Sequence, residues 1–348
     1  MTSRWLPLLL LSVLPLVSVA SGVRVDRMDG DAGRVGIRGE WPDACVPRVV
    51  TWASRSEGVD VLVGGTDADC APGAHPFELQ VSLGDLFSPA PTEDMVRTLR
   101  VFAEHGEGKR DDVPALVGFR LIGGSQPALP ESGFWWPRED GASGNVVSLE
   151  VQGDQLGVAL LGHDSRGAPQ WYFGTATLRG RIAHAELVRV EGRSLFGGVA
   201  ASPRAHPELA VDLAFQTSTR ATLWLSRRTD DGEIEVVATP FERRGFDSLP
   251  QRQTWLGDWL LAGGEGLPAT LTFTDSSADG RGHLRFAAVD AGFVLECDAL
   301  EPDVNAAAQH CELRDLLGET HVRFKHVGFD RLDGRDAEGR VVVLLRPR

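Results

Sequence analysis

Lysine is almost missing from this chain: Lys109 and Lys325 are the only two, and arginine carries the rest of the positive charge. Acidic residues outnumber both, for a formal net charge of −14. Nucleic acid and anionic lipid surfaces repel such a chain, which argues against both as partners. Also missing are the motifs that mark common catalytic sites. There is no G-x-S-x-G elbow, no H-E-x-x-H, no phosphate-binding loop and no dinucleotide fingerprint. No C-x-x-C pair is present, and His310 beside Cys311 does not make a zinc site alone. No cofactor or metal is therefore expected. The paired carboxylates of a glycosidase leave no fixed spacing, so their absence does not follow from sequence.

Long apolar runs are equally scarce. The one example, Leu6–Val19, follows Arg4, is interrupted by Pro7, Ser12, Pro15 and Ser18, and ends at Ser18-Val19-Ala20. A basic start, a short apolar stretch and small residues at the end predict a secretory signal peptide over residues 1–22. The mature chain is expected to be periplasmic or secreted, with no membrane span after cleavage. Its four cysteines, Cys45, Cys70, Cys297 and Cys311, fit that compartment as two local disulfides. A Cys297–Cys311 bridge closes a loop of about 15 residues, worth roughly 3 kcal/mol by chain entropy.

What is present is strand chemistry. Leu209, Val211, Leu213 and Phe215 alternate with Ala210, Asp212, Ala214 and Gln216, the period of a half-buried strand. The same alternation runs through Val147/Leu149/Val151, Leu156/Val158/Leu160, Phe293/Leu295/Cys297, Val322/Phe324 and Val341/Val343/Leu345. Between the runs stand turn clusters such as Asp164-Ser165-Arg166-Gly167, Asp230-Asp231-Gly232, Asp279-Gly280-Arg281-Gly282 and Glu338-Gly339. Helical periodicity is confined to Thr92–Val101 and Val304–Gln309. The fold class is all-β.

Seven strands are expected between Val23 and Gly124, over 23–28, 33–41, 47–54, 58–63, 76–83, 96–103 and 115–122. Seven strands in that length suit an immunoglobulin-like sandwich, although Cys45 and Cys70 are too close for that fold's inter-sheet bridge. Residues 125–132 read as a linker. From Gly133 onward an antiparallel meander is expected, with an internal echo. Gly133-Phe134-Trp135 opens a first half (133–251) and Gly257-Asp258-Trp259 a second (252–348). Two barrels or sandwiches, or one larger partly closed structure, account for it equally.

The stretch Gly133-Phe-Trp-Trp-Pro137, Gly141-Ala-Ser-Gly144, Gln152-Gly153-Asp154 and His163 to Tyr172 resembles a repeat of exported β-rich proteins of gram-negative bacteria. Their pattern is G-x-W-W…S-G-x-G…Q-G-x-x-L…Y-D-x-x-G-x-P-x-W-Y. Ile37 to Pro47, with its G-x-W-P-D-x-C-x-P core, is similar to the sandwich module attached to them. The resemblance spans roughly 23–124 and 133–175; His163 replaces the tyrosine expected before Asp164, and 252–348 matches less well. It implies an exported β-rich context and carries over no catalytic residue. The G-x-W openings also resemble lipocalin and avidin-like barrels, where a tryptophan plugs one barrel end, but the lipocalin T-D-Y element is missing.

Trp135, Trp136, Trp171 and Tyr172 are the leading ligand-binding candidates. Neighbours on a strand point to opposite faces, so each pair sends one ring to the core and one outward, where it can stack on a sugar or other flat ligand. His163, in the adjoining turn, is a further candidate ligand or base. His321 and His326 face opposite sides of one strand and do not chelate together, with His326 sharing the face of Val322 and Phe324. Asp330, Asp333, Asp336 and Glu338 are too widely spaced for a calcium loop and are interleaved with Arg331, Arg335 and Arg340. Asp29/Asp31 and Asp67/Asp69 are weaker still.

The leading functional expectation is an exported, non-enzymatic module that binds a carbohydrate or small apolar ligand, or interacts with the cell envelope. The alternative is an extracytoplasmic hydrolase of carbohydrate or envelope polymer, marked by two facing carboxylates in a cleft. A third is a structural subunit docked on an envelope protein partner, marked by a broad exposed apolar patch.

Overall fold

The computed structural model describes residues 23–30, 33–65, 70–82, 95–104, 114–138, 145–164, 166–190, 209–229, 233–244, 251–278, 283–298, 308 and 310–347. The predicted signal peptide, Asp31, Asp67, Asp69, Thr92–Asp94, Gly141–Gly144, Ser165, Asp230–Gly232, Asp279–Gly282, Val304–Ala307 and Gln309 lie outside the described residues. Among those described, strands dominate, and the helices are a single turn each, Gln251–Thr254 and Val289–Ala291. None is long and apolar enough to cross a membrane. The all-β expectation holds. The helical reading of Thr92–Val101 does not, since Val96–Ala103 is a strand with Leu99 and Val101 fully buried.

The N-terminal strands are β1 (Arg24–Gly30), β2 (Arg34–Asp43), β3 (Arg48–Ser54), β4 (Gly58–Gly64), β5 (Pro72–Ser82), β6 (Val96–Ala103) and β7 (Ala115–Gly123). They form two sheets, ordered β1-β2-β5 and β3-β4-β6-β7, around a core that includes Val35, Ile37, Val61, Leu99 and Val101. Among the described residues this is a seven-stranded sandwich that departs from an immunoglobulin domain, whose sheets are antiparallel, in that β4 and β6 pair in parallel. Cys45 and Cys70, just past the end of β2 and just before the start of β5, are bonded as a local staple.

The next eight strands are β8 (Gly133–Pro137), β9 (Val146–Gln152), β10 (Gln155–His163), β11 (Pro169–Thr177), β12 (Ile182–Arg189), β13 (Leu209–Phe215), β14 (Arg220–Arg228) and β15 (Ile234–Arg243). Each pairs antiparallel with the next, and β15 returns to β8, closing an up-and-down barrel. An eight-stranded barrel has an interior just wide enough for side chains to fill. Here Leu149, Leu156, Val158, Leu187, Val211, Leu213 and Phe215 fill it. All but Leu187 stand at positions that the sequence alternation assigned inward.

The last strands are β16 (Gly257–Ala262), β17 (Thr270–Phe273), β18 (Asp275–Ala278), β19 (His283–Ala288), β20 (Phe293–Asp298), β21 (His310–Asp315), β22 (Thr320–Val327), β23 (Arg331–Asp336) and β24 (Val341–Leu345). They form one sheet whose two ends are β17 and β18. Only Thr274 separates those two strands, and its amide donates to the Ala287 carbonyl at 3.0 Å. One bent strand therefore joins both ends, and the sheet closes into a second meander barrel with the strand order of the first. Cys297 and Cys311 stand directly opposite on β20 and β21, bonded and buried in this second core.

The internal echo is thus a repeated architecture, and its tryptophans hold equivalent places. Gly133 (φ 138°) and Gly257 (φ 107°) both take a positive φ suited to glycine. Two residues on, Trp135 donates its indole N–H to the carbonyl of Glu131 (3.2 Å) and Trp259 donates to that of Trp255 (2.9 Å). Both rings are buried, Trp135 edge-on to Phe215 and Trp259 edge-on to Trp255 and Phe273. Arg243 lies opposite Trp135 in the ladder, and Arg346 is next in register to Trp259.

Two face assignments need correction. In β24 the inward residues are Val342 and Leu344, not Val341, Val343 and Leu345. A strand of five aliphatic residues carries no alternation to read, so neighbouring strands decide its face. In β22 a bulge between Phe324 and His326 shifts the parity, so Val327 is buried and His326 is only half-buried.

Both neighbours of the first barrel contact it. At its Trp135 end, Arg243 pairs with Glu131 (3.3 Å) and lies over the Phe329 ring of the second barrel. The sandwich leans on the outer wall around β14, where Phe119 meets Trp224 and Arg228 donates to the Val25 carbonyl at 2.7 Å. Beside this contact His184 Nδ1 lies 2.9 Å from Oδ1 of the buried Asp212. The hydrogen bond to Asp212 raises the His184 pKa, with burial opposing it.

Two predictions follow from this packing. Trp135→Ala removes a ring from a filled barrel and is expected to cost about 3–5 kcal/mol, while Trp136→Ala on the outer face costs less than about 1 kcal/mol. Denaturant midpoints followed by tryptophan fluorescence separate the two. Because His184 binds its proton more tightly when folded, the stability it adds is full below its ordinary value of about 6.5 and is lost as pH rises through the raised value. His184→Gln is expected to lower the melting temperature at about pH 5 and leave it unchanged near pH 9, with an effect of at most about 1 kcal/mol because half the ring meets solvent.

Candidate functional site

The outer wall of the first barrel, across β8 to β11, brings most of the candidate residues together. Strand register builds it in two rows. In the first row Val146 is opposite Leu161, and Leu161 is opposite Trp171. Trp136 follows the Trp135–Val147 pair by one residue, which places it opposite Val146. In the second row Phe134 is opposite Ser148, Ser148 opposite Ala159, and Ala159 opposite Phe173. Each row thus has an aromatic residue at both ends and aliphatic or small residues between. With strands ~4.8 Å apart, the aromatic ends of a row stand roughly 14 Å apart, and the rows are separated by roughly 7 Å along the strands.

These rings meet solvent: Trp136 is 40% exposed and Trp171 58%, with Phe134 and Phe173 exposed as well. Phe134, Trp136, Val146, Leu161, Gly162, His163, Pro169 and Trp171 line a cleft of about 380 Å³ that is almost wholly apolar. The patch continues toward β12, where Val188 is opposite Phe173 and the exposed Val190 donates its amide to the Trp171 carbonyl. β10, at its middle, lies four strands around the barrel from β14, so the sandwich covers the opposite wall.

The turn after β10 fixes the cleft's edge. Asp164 accepts backbone N–H groups of Arg166 (2.8 Å) and Ala168 (2.9 Å), and these bonds hold its carboxyl below the usual range. Gly167 completes the turn at φ 80°. The hairpins at Asp315 and Asp336 repeat this D-x-x-G device, each aspartate accepting the amides two and four residues on. At the opposite edge Glu242, paired across β15 with Trp136, is buried and tied to Arg244 (3.2 Å) and Arg138 (3.9 Å).

Of the residues singled out in the sequence, Trp136, Trp171 and His163 share this cleft. Trp135 does not: it is 1% exposed and belongs to the core. Tyr172 also sits on the inward side, packed against the core, so Trp171 is the outward member of its pair. Sequence reading missed Phe134, Val146, Leu161 and Phe173. Pairing residues equidistant from the Gly153 and Asp164–Ala168 turns aligns Val146, Leu161 and Phe173, whereas Phe134 is placed by the β8–β9 register.

The outer face of the second barrel over β19 to β22 has different chemistry. Arg285, Glu296, Glu312 and Arg323 lie in one cross-strand row, and Arg314 bridges Glu296 (3.5 Å) and Glu312 (2.5 Å). Among the acidic residues near the C-terminus, Arg331 pairs with Asp333 and Arg340 with Asp336, Glu338 and Glu265. Asp315, Glu319 and His321 gather close together, but Asp315 is committed to its turn amides. No protein-family model matches the chain, and no curated protein matches it. The fold defines its class: an all-β protein with two disulfides, of a kind suited to an oxidising, extracytoplasmic compartment.

Proposed function

We propose that the protein is a non-enzymatic binding protein of the periplasm or extracellular space, with the aromatic wall of the first barrel as its contact surface. The observation that carries this reading is the pair of cross-strand rows with exposed aromatic ends and a small or aliphatic floor. Aromatic side chains exposed together at a cleft are costly in a monomer and mark binding surfaces. The signal-peptide pattern, both disulfides and the resemblance to exported repeat proteins support the compartment. Glu242 is held between arginines, which favours a polar edge for the wall over acid–base chemistry. The extension of the patch over Val188 and Val190 favours a second reading, an envelope protein partner.

The test is a thermal-shift screen of the oxidised protein against glycans and small apolar ligands. A ligand at a hundred times its dissociation constant is expected to add about 2.7 kcal/mol. Trp136→Ala, Trp171→Ala and the floor-filling Ala159→Arg are expected to abolish that gain without lowering the unliganded melting temperature by more than a few degrees. Trp52→Ala, on the exposed edge strand β3, is expected to leave the gain intact. Equal gains in all four variants contradict the assignment.

A further inference from the structure

We infer that the wall takes an extended, neutral glycan lying across the strands, with one sugar ring on Trp136 and another on Trp171. This deepens, and rests on, the binding reading above. Enclosure argues first. Sites for small apolar molecules bury most of the ligand, roughly 70–90% of its surface. The first barrel's interior is filled by its own side chains, and the aromatic wall is open to solvent on its outer side. A shallow cleft open to solvent suits a ring that is itself two-sided. A pyranose packs its C–H face on an indole while its hydroxyls stay hydrated.

Spacing argues second. Three strand intervals, roughly 14 Å, separate Trp136 from Trp171. That is more than one sugar ring spans and within reach of a short oligosaccharide. The row between Phe134 and Phe173 has Ser148 and Ala159 as its floor, which leaves a shallow trough beside the tryptophan row and running in the same direction. Polar groups stand at both ends of the span: Glu242 with Arg138 and Arg244 beside Trp136, and His163 beside Trp171. The net charge of −14 disfavours a polyanionic chain.

The experiment is calorimetric titration of the full oxidised protein with neutral glucose, mannose and N-acetylglucosamine oligomers, each from monosaccharide to hexasaccharide. For at least one series, affinity is expected to rise steeply once the oligomer spans both tryptophans. Trp136→Ala and Trp171→Ala are each expected to lower hexasaccharide affinity about tenfold or more, toward that of the short oligomers. Circular dichroism of both variants checks that they are folded. If a monosaccharide binds as tightly as the hexasaccharide, or only one tryptophan matters, the extended-chain inference fails while the binding reading stands. If small apolar molecules bind in a tryptophan-dependent way and no glycan does, the inference again fails alone. If neither class binds at any length, both fail.

Discussion

Closure of the two barrels is the constraint on which the rest of the structure depends. An open meander leaves unpaired edges and lets register slip, whereas a closed one fixes which residue of every strand points inward. In the first barrel, the return of β15 to β8 sets Trp135 against Arg243 and so commits Phe134 and Trp136 to the outside. The indole bond to the carbonyl four residues back, made by Trp135 and again by Trp259, ties the entering chain to the barrel end in both copies. Core and aromatic wall are therefore two faces of one decision about register.

The duplicated barrels show how freely the outer face varies once that decision is made. Both keep the glycine at positive φ, the buried tryptophan and an arginine in register with it at the end of the last strand. Their outer walls differ in kind. One carries rows of aromatic and aliphatic side chains; the other carries Arg285, Glu296, Arg314, Glu312 and Arg323 in a self-neutralising ladder. Mutual pairing leaves that second wall little unmet demand for a partner, while exposed indoles retain theirs.

Much of the fold was legible because alternation is a direct imprint of the sheet. The inward positions of β9, β10, β13 and β20 follow from their sequences alone, as do the two local disulfides. Faces failed where the imprint is missing or offset: in the all-aliphatic β24, and in β22, where a bulge after Phe324 turns His326 away from the core. The strand order of the sandwich was not legible, since nothing local in β4 or β6 announces a parallel partner. For the site, Trp136, Trp171 and His163 were visible as unusual residues beside turns. Their grouping with Phe134, Leu161 and Phe173 was not, because it depends on register across four strands.

The most direct test of the central claim is a footprint of the tryptophans by mass spectrometry after mild oxidation, with and without saturating neutral hexasaccharides. Among the described residues Trp52, Trp136 and Trp171 are exposed, whereas Trp41, Trp135, Trp255 and Trp259 are buried. The account predicts that glycan protects Trp136 and Trp171 together and leaves Trp52 as reactive as before. Unchanged oxidation of Trp136 and Trp171 while Trp52 is shielded would place binding on the sandwich and contradict the assignment of the barrel wall.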